Sequence, residues 1–229
     1  MKKIILSLLI LLAGCSHTNP IPPQTQIHST IDWVDIVMWN DAQYEYNYSV
    51  NELNQTWGIG EELGEITYMM NDHAGANHIM KNGHATYLTP GTKLYKMAGY
   101  DTVFRIIADG KVYEVNDPAE ANILGDFLDI EGKVESIWFL SDYDGSPLFP
   151  LSSDITGEFI DEFLNLDFVP FYEISNMKDG NRTFIEFRLT DGTSMRTVFW
   201  IESKVFSSGA IGTDQIQETI EKELLIHAD

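Results

Sequence analysis

The spacing of apolar and polar residues changes several times along the chain, and each change predicts an element. Ile4–Leu12 is an apolar run broken only by Ser7, well short of the roughly 20 residues that a permanent bilayer span requires. Ile31–Asn40 (IDWVDIVMWN) alternates with period two and predicts a strand. Trp33, Asp35, Val37 and Trp39 share one of its faces; a buried carboxylate is costly, so Val34, Ile36 and Met38 form the expected core face. Asp41–Asn51 predicts a second strand paired with the first. Trp57–Ile66 (WGIGEELGEI) reads as a glycine-bearing turn between strands. His84–Leu88 is a short strand, Thr89-Pro90-Gly91-Thr92 a turn, and Lys93–Met97 another alternating strand. Thr102–Ala108 and Lys111–Val115 flank Asp109-Gly110, a two-residue loop suited to a type I′ hairpin. Phe104, Ile106 and Ala108 share a face there, with Arg105 opposite.

In the second half, Asn116-Asp117-Pro118 carries the signals of a helix start, predicting a brief helix to Leu124. Gly132–Leu140 predicts a strand. Ser141–Asp154 (SDYDGSPLFPLSSD), with two prolines and a glycine, is the expected boundary between two subdomains. A helix then runs to Leu166, with Ile155, Phe159, Ile160, Phe163 and Leu164 at helical spacing. Thr183–Leu189 and Thr193–Ile201 flank a second Asp-Gly pair, and Thr213 caps an amphipathic helix to Ala228. The fold class is therefore α+β: antiparallel hairpins with about three helices, a mainly β subdomain over 31–140 and an α+β subdomain over 141–229.

Charge narrows the partners. The 229 residues hold 14 Lys and Arg against 35 Asp and Glu, a formal charge of −21. With no basic stripe to offset it, this excess disfavours nucleic acid and anionic headgroups as partners. Cys15 is the single cysteine, so no intrachain disulfide can form.

The motifs exclude more than they assign. Gly58, Gly60 and Gly64 are spaced one residue too wide for the dinucleotide fingerprint, and Glu61 and Glu62 would repel a pyrophosphate, so no nucleotide cofactor is expected. No G-x-S-x-G elbow, S-x-x-K or H-E-x-x-H occurs. Asp142, Asp144 and Gly145 echo the opening of a calcium loop but lack its remaining ligands. Asp72, His73, His78 and His84 are metal-capable residues close together in a predicted loop. Their spacing matches neither a helical zinc pair nor a zinc-finger knuckle, so His73, His78 and His84 are candidate metal ligands by type alone. Carboxylates are too abundant for counting to single out a catalytic pair, because that mechanism is defined by separation in space. The five tryptophans and ten tyrosines could line a sugar-binding groove or simply fill cores and strand faces.

Lys2 and Lys3, the apolar run and Leu12-Ala13-Gly14-Cys15 together resemble the signal peptide and lipobox of bacterial lipoproteins. That resemblance implies a signal peptide over 1–14, acylation of Cys15, and a proline-containing tether over 15–30 that holds the body off the extracytoplasmic face of the cell membrane. A second resemblance covers roughly the first half of the body. Trp33–Asn40, the I-G-x-x-L-G-x-I of Ile59–Ile66, the N-G-x-A-x-x-L-x-x-G-T-x-x-Y of Asn82–Tyr95 and Gly99–Arg105 are similar to uncharacterised lipoproteins of spore-forming Firmicutes. It implies surface anchoring and supplies no catalytic residues. The expected function is a non-enzymatic envelope binding or accessory module acting on an unidentified protein or cell-wall partner. The alternatives are a carboxylate-dependent hydrolase of cell-wall or other carbohydrate, and a metal-binding module.

Overall fold

The computed structural model describes residues 34–71, 73–75 and 77–227. The signal peptide, Cys15, the tether, the first residues of the predicted opening strand and Asp72 lie outside the described residues. The fold is α+β, built on an eight-stranded and a six-stranded sheet among the described residues.

The first sheet is formed by β1 (Ile36–Trp39), β2 (Ala42–Tyr46), β3 (Ile59–Glu65), β4 (Tyr68–Met69), β5 (His84–Ala85), β6 (Lys93–Met97), β7 (Arg105–Ala108) and β8 (Lys111–Asp117). Their spatial order is β3-β6-β7-β8-β2-β1-β5-β4, and all pairs but β4–β5 are antiparallel. A short helix, α1 (Tyr48–Asn51), follows β2. The second sheet holds β9 (Val134–Leu140), β10 (Pro147–Pro150), β11 (Arg182–Leu189), β12 (Ser194–Trp200), β13 (Val205–Phe206) and β14 (Ala210–Ile211), ordered β10-β9-β11-β12-β13-β14. The change of sheet therefore falls between Asp117 and Val134, and Ser141–Asp154 contains the β9–β10 turn and β10. One hydrophobic cluster draws on both sheets and on helices α2 (Thr156–Leu164) and α4 (Asp214–Ile226). A four-residue helix α3 (Phe171–Ile174) lies between α2 and β11.

Local sequence explains most of these elements. Asp109 (φ 50°) and Gly110 (φ 73°) both take the left-handed conformation of a type I′ turn, so β7 and β8 pair in the predicted register. The apolar stripe of α2 packs on the second sheet: Phe163 stacks on Phe187 at 4.9 Å and meets Phe206 edge-on at 5.1 Å. Thr213 caps α4 by accepting from Ile216 N–H at 3.1 Å, and Gln215 donates to Glu158 of α2 at 2.7 Å. No helix among the described residues is long and apolar enough to cross a membrane.

Three expectations are corrected. In β1 the buried residue is Val37, while Val34 is 51% exposed and Ile36 and Met38 are half-buried. The first sheet curls, and Val37 and its cross-strand partner Tyr44 share its buried face. Asp35 is tolerated on that face because the Tyr113 hydroxyl donates to its carboxylate. Second, Ile59–Glu65 is a strand, not a turn. Its glycines permit close approach: a methyl on Gly64 would stand 2.1 Å from the Trp39 indole. Third, Asn116 and Asp117 continue β8 rather than capping a helix. A single 3₁₀ turn at Leu124–Asp126 follows, where the Asp126 carboxylate accepts from the Asn122 and Ile123 amides at 2.7 and 3.1 Å.

Candidate functional site: a cleft walled by both sheets

The hairpin register places Arg105 directly opposite Glu114, and the β2–β8 register places Glu45 directly opposite Glu114 on its other side. Directly opposed residues project from the same face, so β7, β8 and β2 present a row of Arg105, Glu114 and Glu45. A slip of one residue in the hairpin would send Glu114 to the other face and dissolve the row.

Arg105 is fully buried. Its Nε and Nη2 donate to Glu114 Oε2 at 2.8 and 2.6 Å. Its other donors cross to the second half of the chain: Nη1 to Thr193 Oγ1 at 2.8 Å and Nη2 to the Ser194 carbonyl at 2.7 Å. The guanidinium carbon lies over the rings of Phe104 and Tyr100, 4.5 and 4.8 Å from their centroids. Tyr100 extends the tie by donating to Asp191 Oδ2 at 2.8 Å. Burial pushes the Asp191 carboxyl up, but hydrogen bonds from the Thr193 amide and hydroxyl and from Tyr100 outweigh it and hold the carboxyl below its ordinary value.

Glu114 Oε2 also accepts from Asn47 Nδ2 at 2.9 Å, while Asn47 Oδ1 accepts from Val50 N–H to cap α1. Glu45 is differently placed. Asn116 Nδ2 donates to its Oε2 at 3.0 Å, and among the described residues no cation pairs with it. Burial, then the nearby charges of Asp35 and Glu114, raise its carboxyl above the ordinary value.

Glu45 and Glu114 line a cleft of about 510 Å³, within the range of small-ligand sites. Tyr48, 62% exposed, lies on this wall with its ring edge-on to Tyr46 at 4.7 Å. The second sheet contributes Met195, Arg196, Ser207 and Ser208, and Phe171 of α3 also lines it. Ser207 and Ser208 are oriented through Thr197, whose hydroxyl lies 3.1 and 3.3 Å from theirs. Among the described residues no histidine lines the cleft to serve either serine as the imidazole base of a nucleophilic triad. The arrangement suits recognition: fixed charges, hydroxyls and exposed rings.

The candidate metal ligands lie elsewhere. His78 Nε2 and His84 Nδ1 are 3.0 Å apart, and Tyr68 stacks on His78 with ring centroids at 5.1 Å. His73 touches the same tyrosine, 6.1 Å away. Burial, then His78 and Lys81, lower the His84 pKa. The structure thus brings His78 and His84 together, with His73 beside the Tyr68 ring. Among the described residues no group of three His, Cys, Asp or Glu is disposed to hold a metal ion.

Sequence reasoning missed Arg105, Glu114 and Glu45. A signal was present: an arginine inside the apolar strand TVFRIIA and a glutamate inside KVYEV, joined by a turn that fixes them as partners. No family model matches the chain, and neither a curated protein nor a solved structure matches it significantly.

Proposed function

We propose that this chain is a lipoprotein of the extracytoplasmic membrane face, tethered through acylated Cys15, whose body binds a small ligand in the cleft between the two sheets without turning it over. The anchor rests on Lys2, Lys3, the apolar run and the Leu-Ala-Gly-Cys tetrapeptide, and on the resemblance to lipoproteins of spore-forming Firmicutes. The observation that carries the binding reading is the pair Glu45 and Glu114, pinned from behind by buried Arg105, beside the exposed ring of Tyr48 in a 510 Å³ cleft. Positioned polar groups among apolar ones are what ligand sites present.

Fractionation of cells expressing the parent and Cys15→Ser, with intact mass of each, tests the anchor. The parent enters the membrane fraction carrying the added mass of acyl chains, and the variant does neither; identical mass and compartment for both would refute it.

A specific observation favours one second reading, the carboxylate-dependent hydrolase. Glu45 and Glu114 are cross-strand neighbours, whose Cβ atoms lie about 4.5–5.5 Å apart in such pairs, and Glu45 holds its proton more tightly than an ordinary glutamate. Against it, Glu114 Oε2 already accepts from Arg105 and Asn47. Incubation of the full chain in detergent with cell-wall polymer decides: hydrolysis that Glu45→Gln abolishes would replace the binding reading with the hydrolytic one.

A further inference from the structure

Resting on the binding reading, the charge balance at the two ends of the cleft specifies its ligand. At the β2–β8 end, Glu45 and Glu114 face one guanidinium, that of Arg105, which is committed to Glu114. One negative charge, on Glu45, is left unmatched. At the β12 end the balance is reversed. Glu186 accepts from two guanidiniums, Arg188 Nε at 2.9 Å and Arg196 Nε and Nη2 at 2.8 and 2.7 Å. Arg188 also lies over the Trp138 ring, 4.2 Å from its centroid. The surplus positive charge is therefore most accessible at Arg196, whose side chain is 46% exposed.

The two ends are continuous. Arg196 and Ser207 line both the cleft and a second depression of about 340 Å³. Arg196 Nη1 reaches into that depression, lying 3.9 Å from where a methyl on Gly145 would stand. Asp142 lines the same depression without pairing with Arg196, so the positive surplus belongs to the Arg196 guanidinium itself and not to the depression as a whole. The uncharged hydroxyls of Ser207 and Ser208 line the same cleft as Glu45 and Arg196.

We infer that the groove takes a short peptide with free termini, its ammonium group against Glu45 and its carboxylate against Arg196. The hydroxyls of Ser207 and Ser208 face the peptide's amide groups, and Tyr48 and Phe171 offer rings to its side chains. Anions without an ammonium group are repelled by Glu45, and cations without a carboxylate leave Arg196 unanswered.

The test uses the full chain in detergent micelles at 150 mM NaCl, with calorimetric titration of tri-, tetra- and pentaalanine. Each is compared with its N-acetylated and its C-amidated form. The free peptide of best-fitting length binds, and blocking either end weakens binding by about tenfold or more, the usual scale for loss of a charged contact. Glu45→Gln removes the penalty for acetylation and keeps that for amidation; Arg196→Gln does the reverse. Melting curves of both variants establish that they are folded, and Glu45→Asp and Arg196→Lys, which keep the charges, restore part of the discrimination. Equal binding of blocked and free peptides, or discrimination that survives both substitutions, would overturn the inference. A neutral tetrasaccharide, chitotetraose, separates the two levels. If it binds in a manner lost in Tyr48→Ala while no peptide binds, the peptide inference fails and the cleft reading stands; if neither peptide nor sugar binds at 5 mM, both fail.

Discussion

Replacing Arg105 by methionine keeps an unbranched apolar stem in place of the arginine's and removes every polar contact it makes. The guanidinium is fully buried, donates twice to Glu114, and donates once each to Thr193 and the Ser194 carbonyl. Breaking a buried ion pair from one side costs about 3–5 kcal/mol, chiefly because the remaining charge keeps its desolvation penalty without its partner. Glu114 would be that remaining charge, with its side chain 16% exposed and Glu45 beside it. For a body of this size each kcal/mol moves the melting temperature by about 2–4 °C. Thermal denaturation of Arg105→Met, followed by circular dichroism at neutral pH, should therefore show a fall of about 10 °C. Adding Glu114→Gln removes the stranded charge and should recover at least half of the loss, because a pair replaced whole is far less damaging than a pair broken. Arg105→Lys should fall between, since an ammonium cannot reproduce the fork to Glu114, Thr193 and Ser194. A single variant melting within 2 °C of the parent, or a double variant no better than the single, would refute the assignment of Arg105 as the clamp between the sheets.

Three further outcomes follow from the same geometry. Glu45 has a raised carboxyl, so the fold favours its protonated form; that contribution is present below the ordinary value of 4.5 and lost as pH rises through the folded-state value. Glu45→Gln should thus raise the melting temperature at pH 7 by the equivalent of about 0.5 kcal/mol, a half-exposed group being partly screened, and the gain should vanish near pH 4; a lower melting temperature at both pH values would contradict this. The imidazole of His84, lowered by burial and then by His78, should titrate below the ordinary 6.5 by NMR, and in His78→Ala its midpoint should rise; an unmoved midpoint would remove His78 as a cause. Two glycines should respond oppositely to alanine in urea denaturation. Gly64→Ala pushes a methyl into Trp39 and should cost about 1–3 kcal/mol, whereas Gly157→Ala in α2 meets nothing within 4 Å and should gain about 0.5–1 kcal/mol.

What was legible in the sequence is what short-range chemistry decides. The Asp109-Gly110 turn needs only two residues able to take positive φ, and it fixed a hairpin and its register. The Thr213 cap and the stripe of Ile216 and Ile220 likewise specify α4 without reference to the rest of the chain. Where distant contacts decide, pattern alone misled. Both faces of β1 carry apolar residues, and the pairing with buried Tyr44 and the hydroxyl of Tyr113, far along the chain, favour the face carrying Asp35 and Val37. Gly58, Gly60 and Gly64 suggested a turn because their use, close approach to Ala98, Lys96 and Trp39, belongs to partners outside the local window. The cleft was hidden for the same reason: the charged residues inside TVFRIIA and KVYEV mark the Arg105–Glu114 pair, but Glu45 joins it only through strand pairing across almost seventy positions. Cys15 stands apart, since its reading is wholly local and lies outside the described residues.

The bridge from Arg105 to Thr193 and Ser194, seconded by Tyr100 and Asp191, has a mechanical meaning. It ties the strands that carry the two walls of the cleft to each other through buried hydrogen bonds, which opposes a jaw-like opening between them. For the ligand proposed above, such a tie would mean a seat already shaped before docking, with most of the ordering cost falling on the ligand. Stiffening a ligand in its seated shape, by a ring or a proline, is accordingly the change that would tighten the complex most.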